Sequence, residues 1–384
     1  MSRRMRICQW RLRAMPADAA AARPRRLARL GRILLAACVA AVSLAGQPLG
    51  APGDEASPAL AKYHERIDES IDRALAWLAH EQRDDGSWTE SSQSRNSSGI
   101  AGLCVMAFLA KGHTPGVGPY GEAINKGVDF LLANQEPNGL LVRGREGHGA
   151  MYSHSIAALA LSEVSGMVDA ERQKRIDKAL SAALRLILAA QQMPKDRNHA
   201  GGWRYNHDSR DSDISCTSWA IMALRSARNN GAAVPTEAID RGLEYIMNCQ
   251  VTRDGGFAYQ PGGGSGWGRT GTALLCLELC GRHRDRAALM AGEWILKNLP
   301  DQYGRGDHFS YAMYYCSQGM FQLGDEYWER WATRMYEIML RAQEKAGNWP
   351  QARENVGEGA NYYTTAMAVL AMSVSYRQLP IYQR

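Results

Sequence analysis

Asp211 and Asp213 flank Ser212 directly ahead of an apolar run that begins Ile214-Ser215-Cys216. A carboxylic acid in such a place can deliver a proton to a substrate, and it can equally accept the backbone N–H groups that open a helix. Residue type alone leaves both roles open. The candidates for catalysis are Asp213, Asp211 and His154. His148 and His154 sit six residues apart across Gly149 and Tyr152; they could flank a substrate or be satisfied histidines at a helix start. Rings and a few polar groups recur further along the chain: Trp203 and Tyr205, Trp267 and Arg269, Asp307 with His308 and Tyr311, and Asn361 with Tyr362 and Tyr363. Aromatic faces stack on apolar or cationic groups while their polar tips stay free to hydrogen-bond. The ligand-binding candidates are therefore His148, Tyr152, Trp203, Tyr205, Trp267, Arg269, His308, Tyr311 and Tyr362. Gly262-Gly263-Gly264-Ser265-Gly266 is a flexible loop that lacks the Lys-Ser/Thr of a phosphate loop, and its expected use is to let Trp267 lie across a mouth.

The elements that must position these residues follow from an internal repeat. One phrase recurs six times at spacings near 50 residues: basic, small, two variable, aromatic, aliphatic, three variable, Gln, then a short gap to Gly-x-Trp. Its clearest copy is Arg73-Ala74-Leu75-Ala76-Trp77-Leu78-Ala79-His80-Glu81-Gln82, followed by Asp85-Gly86-Ser87-Trp88. Further copies end in Gln135 and Gly139, in Gln191 and Gly201-Gly202-Trp203, in Gln250 and Gly255-Gly256-Phe257, and in Gln343 and Gly347-Asn348-Trp349. The fifth copy is eroded: Trp294-Ile295 keeps the aromatic step, and Leu299 replaces the Gln. A period of this length is one helical hairpin.

The repeat-bearing helices alternate apolar and charged residues, whereas a second helix between copies is rich in Ala, Leu, Met and Cys, as a helix buried on most sides should be. These second helices are expected over 99–111, 152–165, 214–229, 270–280, 309–323 and 363–376, with Ser or Thr on the turns that open them. β-Branched alternation is nearly absent, which argues against a sheet. Six inner and six outer helices predict an all-α (α/α)6 toroid, a barrel of six hairpins. Parallel inner helices would gather six N-termini, each about +0.5 charge, at one mouth, and the candidate residues cluster at those starts.

The Gln-(gap)-Gly-x-Trp phrase resembles the QW repeat of the terpenoid cyclase and protein prenyltransferase superfamily, over about residues 66–376. The resemblance implies the toroid, with the Gln capping carbonyls and the Trp packing on the neighbouring hairpin, so most motif residues are scaffold. It also implies that Asp213 matches the acid that hopene-type cyclases carry in D-x-D-D, protonating an alkene or epoxide while aromatic faces stabilise the cation. Ile214 replaces the last Asp of that motif here. Related prenyltransferases hold zinc with Asp-x-Cys and a His; Asp213 and Cys216 are spaced i, i+3, and His308 falls two hairpins away, so no metal or other cofactor is expected. The thioester phrase Cys-Gly-Glu-Gln of complement-like toroids is absent.

The chain has 384 residues and a formal charge of +6. Ten arginines against Asp18 place +9 of that charge in residues 1–45 and leave −3 downstream, which argues against a nucleic-acid surface on the body, so no nucleic-acid partner is expected. The arginine-rich stretch, the apolar run 33–45 and small residues at Ser43 and Ala45 have the order of a secretory signal cleaved after Ala45. Export to the periplasm or outside the cell is expected, with lipidation at Cys38 as the alternative and no stable membrane span. Residues 46–65 read as a linker and 66–379 as the toroid, a monomer. The six cysteines beyond the leader sit in apolar helical patterns and read as small buried hydrophobes. Two functions of different class fit: an enzyme acting on an apolar or isoprenoid substrate with Asp213 as acid, or a module binding a glycan or peptide without chemistry.

Overall fold

The computed structural model describes residues 58–89, 97–144, 149–306, 308–352, 354 and 359–383. The leader 1–45, most of the expected linker, His148 and Asp307 lie outside the described residues. Residues 57–384 form one compact unit. Among the described residues there are twelve α-helices and no strand, only three isolated bridges.

The outer helices are α1 (Pro58–Glu81), α3 (Gly121–Ala133), α5 (Ala170–Gln191), α7 (Thr236–Asn248), α9 (Arg286–Lys297) and α11 (Asp325–Ala342). The inner helices are α2 (Ser97–Ala110), α4 (Ala150–Glu163), α6 (Ile214–Asn229), α8 (Trp267–Leu279), α10 (Phe309–Leu323) and α12 (Ala360–Met372). Helix α1 begins inside the stretch expected to be a linker, and the last expected helix breaks into α12 and a 3₁₀ turn at Val374–Tyr376. The outer helices are half-buried: in α7, Ala238, Ile239, Gly242, Leu243, Tyr245 and Ile246 face inward at helical spacing. In α10 every residue but Phe321 is buried. Each inner helix packs on the next, and α12 packs on α2, which closes the ring.

The repeat phrase stitches the outer layer. Gln82 Nε2 donates to Gly86 O at 3.1 Å and to Ala123 O on the next outer helix at 2.9 Å. Gln135 repeats this with Gly139 O and Ala179 O, and Gln191 with Gly201 O and Ala238 O. Gln343 does so with Gly347 O and, across the closure, with Ser70 O. The repeat glycine is obligatory in the first copy: Gly86 has φ +86°, and a β-carbon there would lie 2.1 Å from Lys126 O.

The repeat tryptophan has two jobs. Its indole N–H bonds back to its own outer helix, Trp88 to Leu78 O, Trp203 to Ile187 O and Trp349 to Met339 O, all within 2.7–2.8 Å. Its ring edge rests on the small residue of the following copy, so that a β-carbon at Gly127 would come 3.2 Å from Trp88, and one at Gly242 3.1 Å from Trp203.

The tail seals the far end of the ring. A 3₁₀ turn, Pro380–Tyr382, lies across the C-terminal ends of the inner helices. Ile381 N donates to Glu163 Oε2 at 3.1 Å, Arg225 Nη1 donates to Ile381 O at 2.5 Å, and Gln322 Nε2 donates to Tyr382 O at 3.2 Å. Tyr382 also meets the hydroxyl of Tyr314, whose ring stacks on Trp219 at 5.7 Å. These rings fill the axis, so the opening at the other end is blind.

Candidate functional site

The inner-helix N-termini surround a cavity of about 460 Å³. Its wall takes Gly99, Ile100 and Leu103 from α2, Tyr152, Ser153 and Ile156 from α4, and Ser215 from α6. Trp267, Gly268 and Arg269 come from α8, His308 and Tyr311 from the start of α10, and Tyr363 from α12, while loop residues Tyr205, Tyr259 and Glu354 complete it. Aliphatic groups are confined to α2 and α4. Behind the wall, Tyr152 meets Trp219 edge-on at 6.1 Å, and Tyr311 packs on Tyr315 at 4.5 Å. The Tyr311 hydroxyl bonds Thr272 Oγ1 and that of Tyr315 bonds Ser218 Oγ. Burial pushes the phenols of Tyr152, Tyr311 and Tyr363 upward, so they stand in the cavity as neutral hydroxyls.

Of the candidates named from sequence, Tyr152, Tyr205, Trp267, Arg269, His308 and Tyr311 line this one cavity. Tyr362 faces the outer layer instead, its ring 5.4 Å from Trp77, while its neighbour Tyr363 turns inward. Trp203 is buried as a repeat tryptophan.

His154 also belongs to the scaffold. It is fully buried, its Nδ1 accepts Leu141 N at 3.0 Å, and its Nε2 lies 3.3 Å from Ala183 O. At the equivalent joints the residue in the repeat's aromatic place donates its backbone N–H to a threonine hydroxyl: Trp203 to Thr217, Phe257 to Thr270 and Trp349 to Thr365. His154 does that threonine's work, and burial pushes its pKa down to about 4.

Asp213 is buried, and its Oδ1 accepts Cys216 N at 2.9 Å, the N-cap of α6. Burial raises its pKa against the opposing pull of the Cys216 N–H and Arg204. It does not line the cavity; Arg204 lies in front of it, 3.4 Å from Asp213 Oδ2 and 3.3 Å from Asp211 Oδ2. The Arg204 guanidinium stacks over Tyr205 at 4.5 Å and Tyr259 at 5.4 Å, and the hydroxyls of those two tyrosines are hydrogen-bonded.

The expected Ser/Thr caps are absent at four inner helices: α4, α8, α10 and α12 follow Gly149, Gly266, His308 and Gly359 without a side-chain cap from that residue. The loop entering the following inner helix supplies acceptors instead. Met151 N donates to Tyr205 O at 2.9 Å and Ile214 N to Tyr259 O at 3.1 Å, while Ser310 N donates to the carboxylate Oε1 of Glu354. Arg204, Tyr259 and Glu354 were not singled out from sequence. Tyr205 and Tyr259 each follow a repeat aromatic by two residues, a signal that could have found Tyr259. No group of three metal-ligating side chains occurs among the described residues.

Residues 104–272 match the family described as Squalene-hopene cyclase C-terminal domain, and residues 293–384 match the Prenyltransferase alpha-alpha toroid domain. The sequence matches no protein of curated function. Among solved structures, the type II terpene cyclase MstE from Scytonema is 17% identical with a TM-score of 0.53, over 82% of this chain and 100% of that one. The GH76A alpha-1,6-mannanase from Salegentibacter sp. HEL1_6 is 10% identical with a TM-score of 0.60, over 81% and 99%. A family 76 glycoside hydrolase from a bovine Bacteroides thetaiotaomicron strain is 11% identical with a TM-score of 0.57, over 81% and 78%. These likenesses are of fold. The closed ring of twelve helices among the described residues, stitched by the repeat, and the two family matches support a terpenoid cyclase/prenyltransferase-like toroid.

Proposed function

We propose that the protein binds a small molecule in the mouth cavity. The observation that carries this reading is the convergence of all six inner-helix starts on one blind cavity of about 460 Å³, a size ordinary for a ligand site. Its wall mixes neutral phenols with Arg269, His308 and Glu354, which suits an occupant that has both flat apolar faces and hydrogen-bonding groups. The fold accommodates different occupants: a structure of the Scytonema cyclase is in complex with geranylgeranyl dihydroxybenzoate (substrate), and the Salegentibacter neighbour is an alpha-1,6-mannanase. Native mass spectrometry of protein isolated without refolding tests the proposal. A retained small molecule is expected, and Ser215→Trp, which sets an indole into the cavity, should remove it without lowering the melting temperature. Equal loading of the variant would place the ligand elsewhere.

A second reading, an isoprenoid cyclase with Asp213 as acid, is favoured by the raised pKa of that buried carboxyl. Its Oδ1 is already committed to capping α6, so the binding role takes precedence. We infer also that residues 1–45 direct export, from the succession of ten arginines and an apolar run.

A further inference from the structure

Glu354 stands apart from every other group in the cavity wall. Its side chain is over nine-tenths buried, Oε1 accepts Ser310 N, and Oε2 accepts no hydrogen bond among the described residues. His308 Nδ1 lies 3.7 Å from Oε2, beyond hydrogen-bond distance. A buried carboxylate oxygen without a donor is costly unless something supplies one. Oε1 is taken by the α10 N-terminus, so what is missing at Oε2 is a donor, which an occupant of the cavity can supply.

The wall around it narrows the class of that occupant. Arg269 and the positive ends of the inner-helix dipoles oppose a cationic ligand, and Glu354 opposes an anionic one. A purely apolar ligand would leave both Glu354 and Arg269 desolvated and unpaired. A neutral polyol satisfies both signs at once, its hydroxyls donating to the carboxylate and accepting from the guanidinium. Tyr152, Tyr311 and Trp267 offer rings to an apolar C–H face, and a pyranose has such a face with a rim of hydroxyls. Resting on the binding role proposed above, we propose that the mouth cavity is a carbohydrate subsite in which Glu354 Oε2 accepts a hydroxyl of a neutral pyranose.

The test is calorimetric titration of the purified protein with methyl α-D-mannopyranoside, methyl β-D-glucopyranoside, methyl β-D-galactopyranoside and their monodeoxy analogues, with geranylgeraniol as the isoprenoid comparison. At least one pyranoside should bind, and removing one particular hydroxyl should weaken it by about 10- to 100-fold, the worth of a hydrogen bond to a charged group. Glu354→Gln should lose a similar factor and become indifferent to that deoxygenation. Glu354→Gln binding each probe as the parent does would overturn the assignment. If that variant does not fold, the deoxy series on the parent decides alone: a flat series refutes the subsite. Binding of geranylgeraniol with no pyranoside bound at any soluble concentration refutes the carbohydrate class and leaves the binding role intact. No probe bound, together with no retained ligand in native mass spectrometry, removes both.

Discussion

Gln343→Ala opens the joint of the ring that no covalent connection spans. Gln343 Nε2 donates to Ser70 O and Gly347 O, each at 2.7 Å, and Oε1 accepts from Ser70 Oγ at 2.8 Å and from the Arg73 guanidinium. Net values of roughly 0.5–1.5 kcal/mol per neutral bond give about 2–4 kcal/mol for the three neutral ones. The Arg73 contact is exposed and adds little. Ser70 is only 1% exposed, so its hydroxyl finds no water when the amide is removed, which favours the upper half of that range. For a unit spanning residues 57–384 the melting temperature should fall by about 3–6 °C. Gln82→Ala, which removes two bonds at a joint held by the chain as well, should cost less. Gln343→Glu should be worse than Ala at pH 7, because a carboxylate would face two carbonyl oxygens, and should recover in part when protonated near pH 4. Differential scanning calorimetry gives the cost, and amide hydrogen exchange locates it, with lost protection expected in α1 and α11. A melting temperature within about 1 °C of the parent, or protection lost uniformly around the ring, would refute the clasp.

Three further outcomes are expected. Burial pushes the Glu163 carboxyl up to about 7 from its ordinary 4.5, so the folded state holds a proton that the unfolded state releases. Stability should therefore fall by about 3 kcal/mol as pH rises from 4.5 through 7; Glu163→Gln should flatten that slope in urea titrations across pH, and an unchanged slope would assign the dependence to another group. As an N-cap, Asp213 should tolerate Asn at a cost of a few tenths of a kcal/mol and lose about 1 with Ala, whereas a proton donor replaced by Asn would keep ligand affinity and lose turnover by about 10²- to 10⁴-fold. Exported protein should begin at Gly46 by intact mass, and retention of residues 1–45 or a lipid on Cys38 would count against signal cleavage.

The outer layer was legible because its partners are local. Gln82 reaches a carbonyl four residues on, and Trp88 one ten residues back, so each copy carries its own geometry in its spacing. The mouth was legible only where a side chain stands at a helix start, as Tyr152, Trp267 and Tyr311 do. Glu354 escaped notice because it does not stand two residues after its repeat aromatic, as Tyr205 and Tyr259 do, and its value comes from Ser310, 44 residues away. His154 drew attention as an imidazole, although aligning Leu141 with Trp203, Phe257 and Trp349 sets it beside Thr217, Thr270 and Thr365 as a backbone acceptor. The Ser/Thr caps expected on inner helices gave way to acceptors from the next loop, an arrangement that exists only once neighbouring hairpins are packed.

The clasp at Gln343 has the same partners as those at Gln82, Gln135 and Gln191, so the ring has no intrinsic first hairpin. The start of α1 and the tail both lie at the end opposite the mouth, because every outer helix begins where an inner one stops. The turn from Gly112 to Gly118 lies at that same end, with Gly112, Gly116 and Gly118 all at positive φ and Val117 exposed. A circular permutant that joins Gln383 to Pro58 through a flexible linker and opens at Val117 would keep every clasp and leave both new ends remote from the cavity. In such a chain the Gln343 joint becomes covalent and another becomes the free seam, which makes the position of the seam a design variable of the toroid.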